Sequence, residues 1–201
     1  MSNKEHWERI YTTKTPQEVS WTQAKPETSL DLIAKFDLPK FAKIIDIGGG
    51  DSLLVDHLIE LGYTNITVLD ISKAAITRAK ERLGEDAHKV KWIVSDIRDF
   101  KPTESYDLWH DRATFHFLTS PEDIAKYKHR LTQISTRHLV LGTFSTSGPL
   151  KCSGLEITQY DRSKIEATFG DYFNVLECIN TDHTTPFETI QNFTFARISK
   201  K

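Results

Sequence analysis

Residues 43–52 read Lys-Ile-Ile-Asp-Ile-Gly-Gly-Gly-Asp-Ser: β-branched residues run into three glycines and then a serine able to cap a helix. A β-branched run suits a buried strand, and glycines let the backbone take positive φ and let a ligand approach the main chain. This restricts the chain to folds in which a strand turns sharply into a helix at a binding edge. The rest of the sequence repeats the alternation. Ile66–Leu69, Val90–Val94, Tyr106–Trp109 and His138–Phe144 read as further strands after Lys43–Ile47. The helices between them have legible ends. Ser52 is placed to cap Leu53, Leu54, His57, Leu58 and Leu61, with Gly62 as the stop. Ser72 caps Ala75, Ile76, Ala79 and Leu83 before Gly84, and Ser120-Pro121-Glu122-Asp123 opens another helix with a proline and acids in its first turn.

Strands alternating with helices imply a parallel sheet wound on both faces. The tail departs from that rhythm. After a helix beginning near Asp161, Tyr172–Thr181 and Thr189–Ile198 read as strands joined through His183–Glu188. So short a connection cannot hold a crossover helix, so this last pair is expected to be antiparallel. The 201 residues suit one domain spanning 1–201, with an N-terminal lid over 1–28 and a core over 43–201.

The formal net charge of -2 offers no basic excess for nucleic acid. Cys152 and Cys178 are too few for a disulfide framework and are expected as free thiols. The polar start and the absence of a membrane-length apolar run point to a cytoplasmic protein, expected as a monomer or weak homodimer.

The glycine turn can hold either a dinucleotide or another cofactor, and charge separates them. The dinucleotide fingerprint wants Gly or Ala three places after its second glycine, and Leu53 stands there. Asp46 and Asp51 bracket Gly48, Gly49 and Gly50. A phosphate there would meet repulsion of up to roughly 4 kcal/mol per close pair at an effective dielectric of 20. S-adenosylmethionine has no phosphate and carries an ammonium and a sulfonium, so the same signs favour it. Asp70-Ile71 ends the second strand, where a carboxylate can accept from both ribose hydroxyls. Asp96-Ile97 ends the third, where the acid can accept from an adenine amino group and Ile97 can pack on the ring.

DIGGGDS, VLDIS and SDIRDF together resemble the motif series of class I S-adenosylmethionine-dependent methyltransferases, in element order from Lys43 to the C-terminus. HWERIYTTKTPQEVSW and HDRATFHFL resemble a small bacterial-type subgroup of undefined substrate. The resemblance implies a Rossmann-like sheet of five parallel-type strands followed by an antiparallel C-terminal hairpin. It also implies that Asp46 and the glycines contact the methionine portion, Asp70 the ribose and Asp96 the adenine. Many members carry Cys or Ala where Gly49 stands, a difference expected to matter little.

The acceptor site is expected where the fourth strand ends, at His110-Asp111-Arg112-Ala113-Thr114-Phe115-His116-Phe117. Asp111 is placed beside both cofactor and acceptor. His116 and His183 have an intrinsic pKa suited to a general base, and Arg112 can orient an acidic substrate with its planar fork. Against these roles, Asp111 and Arg112 can form a structural ion pair, and His116 can be a buried core histidine. Trp7, Ile10 and Tyr11 share one helical face, and Trp21 is placed against the cofactor under the lid. His110, Asp111 and His116 fit no standard metal spacing, so no metal is expected. The expected activity is methylation of a small molecule. The alternatives are a protein lysine acceptor and a non-catalytic cofactor-binding regulator. An NAD oxidoreductase is disfavoured by Leu53 and Asp46. Nucleic-acid N-methylation is disfavoured because Asp111-Arg112-Ala113-Thr114 replaces the Asn/Asp-Pro-Pro-aromatic signature.

Overall fold

The β-branched runs become strands. In the computed structural model, which describes residues 2–134 and 136–201, β1 (Lys43–Ile47) pairs in parallel with β2 (Asn65–Asp70) and β4 (Leu108–Arg112). β3 (Val90–Val94) adds to β2 and β5 (His138–Phe144) to β4, all parallel. β1, β2, β4 and β5 are buried along most of their length, while the edge strand β3 is partly exposed. β8 (Phe173–Thr184) and β9 (Ile190–Lys200) form the expected antiparallel hairpin, and β9 inserts beside β5. The order β3-β2-β1-β4-β5-β9-β8 reverses direction of winding between β1 and β4, which is where an open α/β sheet leaves a crevice. Met1 and Ser135, within the expected single-domain span, lie outside the described residues.

Helices cover both faces. On one, Ile45, Ile47, Trp109, Leu139 and Leu141 pack with Tyr127 and Leu131 of α5 (Pro121–Gln133) and Ile165 and Phe169 of α6 (Arg162–Phe169). On the other, Ile44, Val68, Leu108 and Val140 pack with α2 (Glu27–Ala34) and α3 (Leu54–Glu60). α1 (Asn3–Thr13) and α4 (Lys73–Leu83) pack together at the β2 end. No described helix is long and apolar enough to cross a membrane.

The caps hold with one shift. Ser72, Ser120 and Asp161 accept from the N–H groups of Ala75, Asp123 and Lys164. At α3 the cap position falls on Leu53, and Ser52 Oγ accepts from Leu54 N at 3.2 Å. Three boundaries differ from expectation. α2 is unmarked by a polar cap, since Pro26 precedes it, yet Leu32 and Ile33 are 1 % exposed. His183 and Thr184 belong to β8 rather than to a loop. β4 starts two residues later than expected and continues through His110, Asp111 and Arg112, because ladders with β1 and β5 satisfy its backbone on both sides. The Ser145–Gln159 insert forms a small hairpin, β6 (Lys151–Cys152) with β7 (Leu155–Glu156).

Candidate functional site

The carboxyl ends of β1, β2 and β4 open on a cavity of about 440 Å3, within the usual range for small-molecule sites. The turn after β1 is its floor. Gly48 holds a φ of +64°, and a Cβ there would come within 1.8 Å of Thr114 Oγ1. At Gly49 a Cβ would stand 2.6 Å from Asp46 Oδ2 and 2.9 Å from Val68 Cγ1. An Ala or Cys side chain at this position would require both to give way. Gly50 does not line the cavity, because Tyr11 Oη from α1 sits over it, 2.7 Å from where its Cβ would be.

The pleat decides which acids reach the cavity. Register pairs Asp46 with His110 and Ile47 with Asp111, and neighbours along a strand face opposite sides. Asp46, His110 and Arg112 line the cavity. Asp111 lies on the other face, fully buried under α5, so its expected cofactor and catalytic roles are both corrected. It accepts from Tyr127 Oη at 2.8 Å and from the N–H groups of Phe115 and Thr114 at 3.0 and 3.2 Å. Burial pushes its carboxyl up to about 6. The same parity rules out an Asp111–Arg112 ion pair.

His110 Nδ1 donates to Asp46 Oδ1 at 2.6 Å, and its Nε2 accepts from Ser29 Oγ at 2.8 Å. The acceptor-only carboxylate sets this tautomer. The order Ser-His-Asp resembles a nucleophilic triad, but Ser29 is 1 % exposed and does not line the cavity. The chain of bonds fixes the Asp46 carboxylate instead.

Asp46, Asp51 and Asp70 all line the cavity. Asp70 Oδ1 accepts from Ser72 N at 2.7 Å, and Asp51 Oδ2 is 3.6 Å from Arg78 Nη1. Burial, reinforced by the charges of Asp51 and Asp46, pushes Asp70 up to about 7; burial also raises Asp51. Ile71 and Ile97 supply apolar wall. Asp96 lines it as well, with Arg98 holding both oxygens: Nε at 3.0 and 3.1 Å and Nη2 at 2.6 Å.

The N-terminal segment covers this floor. Trp7, Tyr11 and Trp21 line the cavity, and Trp7 packs edge-on against Trp21 and Phe117. The Glu8 carboxylate caps α4, accepting from Ser72 Oγ at 2.8 Å and Ala74 N at 3.2 Å. Two residues expected in catalysis anchor the return of this segment. His183 Nε2 donates to Ser20 O at 2.6 Å, and Arg112 Nη1 to Trp21 O at 2.8 Å. His183 does not line the cavity, so its role as base is corrected to that of a tether. His116 is fully buried, with Nδ1 accepting from Phe144 N at 3.3 Å, and burial pulls it down to about 3. It too is outside the cavity, a neutral core histidine.

His110, Thr114 and Phe117 were expected within the acceptor stretch without individual roles, and Cys152 was expected only as a free thiol; all four line the cavity. His110 was signalled by its even spacing from Arg112; Cys152 had no signal, because it arrives on the insert hairpin.

The family model for methyltransferase domains matches residues 44–134. Over that stretch the chain is similar to methyltransferase domains. The chain is also similar to the malonyl-acyl-carrier protein O-methyltransferase of Anoxybacillus flavithermus, at 37 % identity over 86 residues, 41 % of this chain and 32 % of that protein. It is also similar to human EEF1A lysine methyltransferase 2, at 23 % identity over 72 % of this chain and 66 % of that protein. The chain matches only about a third of the length of the malonyl-acyl-carrier protein relatives. Among solved structures, the N-methyltransferase NodS from Bradyrhizobium japonicum in complex with S-adenosylhomocysteine superposes with a TM-score of 0.74 at 16 % identity. That match covers 99 % of both chains, and it speaks to the fold.

Proposed function

We propose that this chain is an S-adenosylmethionine-dependent methyltransferase acting on a small molecule. The observation that carries the cofactor is the trio Asp46, Asp51 and Asp70 around a bare glycine turn. Like charges in a partly dry cleft disfavour one another's ionisation, and a cationic ligand relieves that cost. The donors and acceptors fit the group. Asp70 has oxygens for ribose hydroxyls, Ile97 offers a face to a purine ring, and Asp46 is oriented by His110 toward the methionine end. Asp96, already engaged by Arg98, has lone pairs left for one more donor.

The cofactor supplies a methyl group on a positively charged sulfur, open to in-line displacement by a nucleophile. The chain's own contribution is placement and dryness. The aromatic cover of Trp7, Tyr11, Trp21 and Phe117 keeps water from the reacting atoms and holds the acceptor in line. A covered cavity favours a small acceptor over a protein surface. Neither His116 nor His183 reaches the cavity to act as base, which favours an acceptor that arrives with its nucleophilic atom already unprotonated. The test is calorimetric titration with S-adenosylhomocysteine, followed by labelled cofactor in a cell extract. Binding, with label in the small-molecule fraction, is expected. No binding refutes the cofactor, and label in protein refutes the acceptor class.

A further inference from the structure

We propose that Arg112 reads a carboxylate on the methyl acceptor, so that the pocket selects small organic acids; this rests on the methyltransferase reading above. Arg112 ends β4 and lines the cavity. Its Nη1 is fixed on Trp21 O at 2.8 Å, and its Cζ lies 4.8 Å from the centre of the Phe193 ring. Those contacts set the plane of the guanidinium. Nε and Nη2 share the remaining edge, and both are buried with no acceptor among the described residues. Two parallel N–H groups on one edge match the two oxygens of a carboxylate.

A cation with two buried, unpaired N–H groups carries an unmet desolvation cost, which a fitting anion removes. No described neighbour already plays that part. Asp111 faces away, and Asp46 is held by His110 at 2.6 Å. Cys152 lines the same cavity, but burial pushes its thiol up to about 12, so it is neutral. Trp21 Nε1 is a further buried donor without an acceptor among the described residues, on a residue of the same wall. The cavity thus has acids at the glycine turn and unmet donors at the end of β4. One end suits a cation and the other an anion. A carboxylate is also ionised at neutral pH, which agrees with a cavity that His116 and His183 do not reach.

The rival occupant of this edge is the cofactor's own methionine carboxylate, and the experiment separates the two. S-adenosylhomocysteine is titrated calorimetrically into the wild type, Arg112→Lys and Arg112→Gln. Each complex is then titrated with acetate, propionate, malonate, succinate and benzoate, and with the matching primary amides. Arg112 also tethers Trp21, so S-adenosylhomocysteine is titrated beside 5′-methylthioadenosine, which lacks the amino-acid end. We expect any loss in the variants to be the same for both within about threefold, and binding of either reports that they fold. At least one carboxylate should bind the wild-type complex, and its amide at least about tenfold more weakly. That binding should drop about tenfold in Arg112→Lys, which offers a point charge instead of a fork, and further in Arg112→Gln. The proposal is overturned if no carboxylate binds, if amides bind equally, or if binding survives Arg112→Gln. A loss in Arg112→Gln confined to S-adenosylhomocysteine and absent for 5′-methylthioadenosine also overturns it, by assigning the edge to the cofactor. A wild type that ignores S-adenosylhomocysteine removes the underlying reading itself.

Discussion

Replacing Asp70 with asparagine separates what its carboxylate does for the ligand from what it does to the fold. The carboxyl is 4 % exposed and is pushed up to about 7 by burial and by Asp51 and Asp46, against an ordinary value of 3.8. A folded-state pKa above the unfolded one means the folded state prefers the protonated form. That preference stabilises fully below about pH 4 and is lost as pH rises to 7. The gap of about three units sets a ceiling on the order of 4 kcal/mol for the cost of the buried charge at pH 8. An asparagine at this position keeps an oxygen for the Ser72 N–H and carries no charge, so the ligand-free Asp70→Asn protein should melt several degrees higher at pH 8. That gain should shrink toward pH 4. Binding should move the other way. Losing hydrogen bonds to a charged group costs about 1.5–3 kcal/mol, or roughly 10- to 150-fold in the Kd for S-adenosylhomocysteine. In the wild type the ligand needs the ionised form, so affinity should weaken as pH falls from 8 to 6, approaching tenfold per unit below 7. The affinity of the Asp70→Asn variant should stay flat across the same range. Thermal melts and calorimetry at pH 6, 7 and 8 decide it. An unchanged Kd, or a variant that melts lower at pH 8, refutes the reasoning.

Three other substitutions probe the frame. Gly48→Ala combines a positive φ with a Cβ 1.8 Å from Thr114 Oγ1, so a loss of about 1–3 kcal/mol in chemical denaturation is expected, along with ligand affinity. His116→Phe should leave turnover per folded molecule intact and cost about 1–3 kcal/mol, because Phe144 N loses its acceptor; a turnover collapse in a well-folded variant would restore His116 to the chemistry. Glu8→Ala should speed S-adenosylhomocysteine dissociation in stopped flow by roughly tenfold if α1 is a closing lid worth about one capping interaction, and an unchanged rate would make it a fixed wall.

The strands, their order of appearance and the terminal hairpin were legible because a wound sheet writes β-branched runs at regular intervals. The three acids at strand ends were legible too, since charge next to a glycine turn has few other uses. What escaped was orientation. His110, Asp111 and Arg112 fell just past the expected strand Tyr106–Trp109, so alternation was not applied to them, and Asp111 was assigned to a cavity it faces away from. His116 and His183 were chosen for their intrinsic pKa, but burial and a single backbone contact each determine what they do. No local pattern marks α2, whose start lacks a side-chain cap, or Cys152, whose position depends on a hairpin folding back across the sheet.

The stretch shared with the methyltransferase family ends at residue 134 and begins at 44, whereas Trp7, Tyr11, Trp21 and Cys152 all border the cavity. Much of the container is therefore built from sequence outside the common motif. Kinship among such chains can be recognised from the shared portion while their chemistry diverges in the other. Transferring a substrate between two of them by alignment compares the socket and ignores the key.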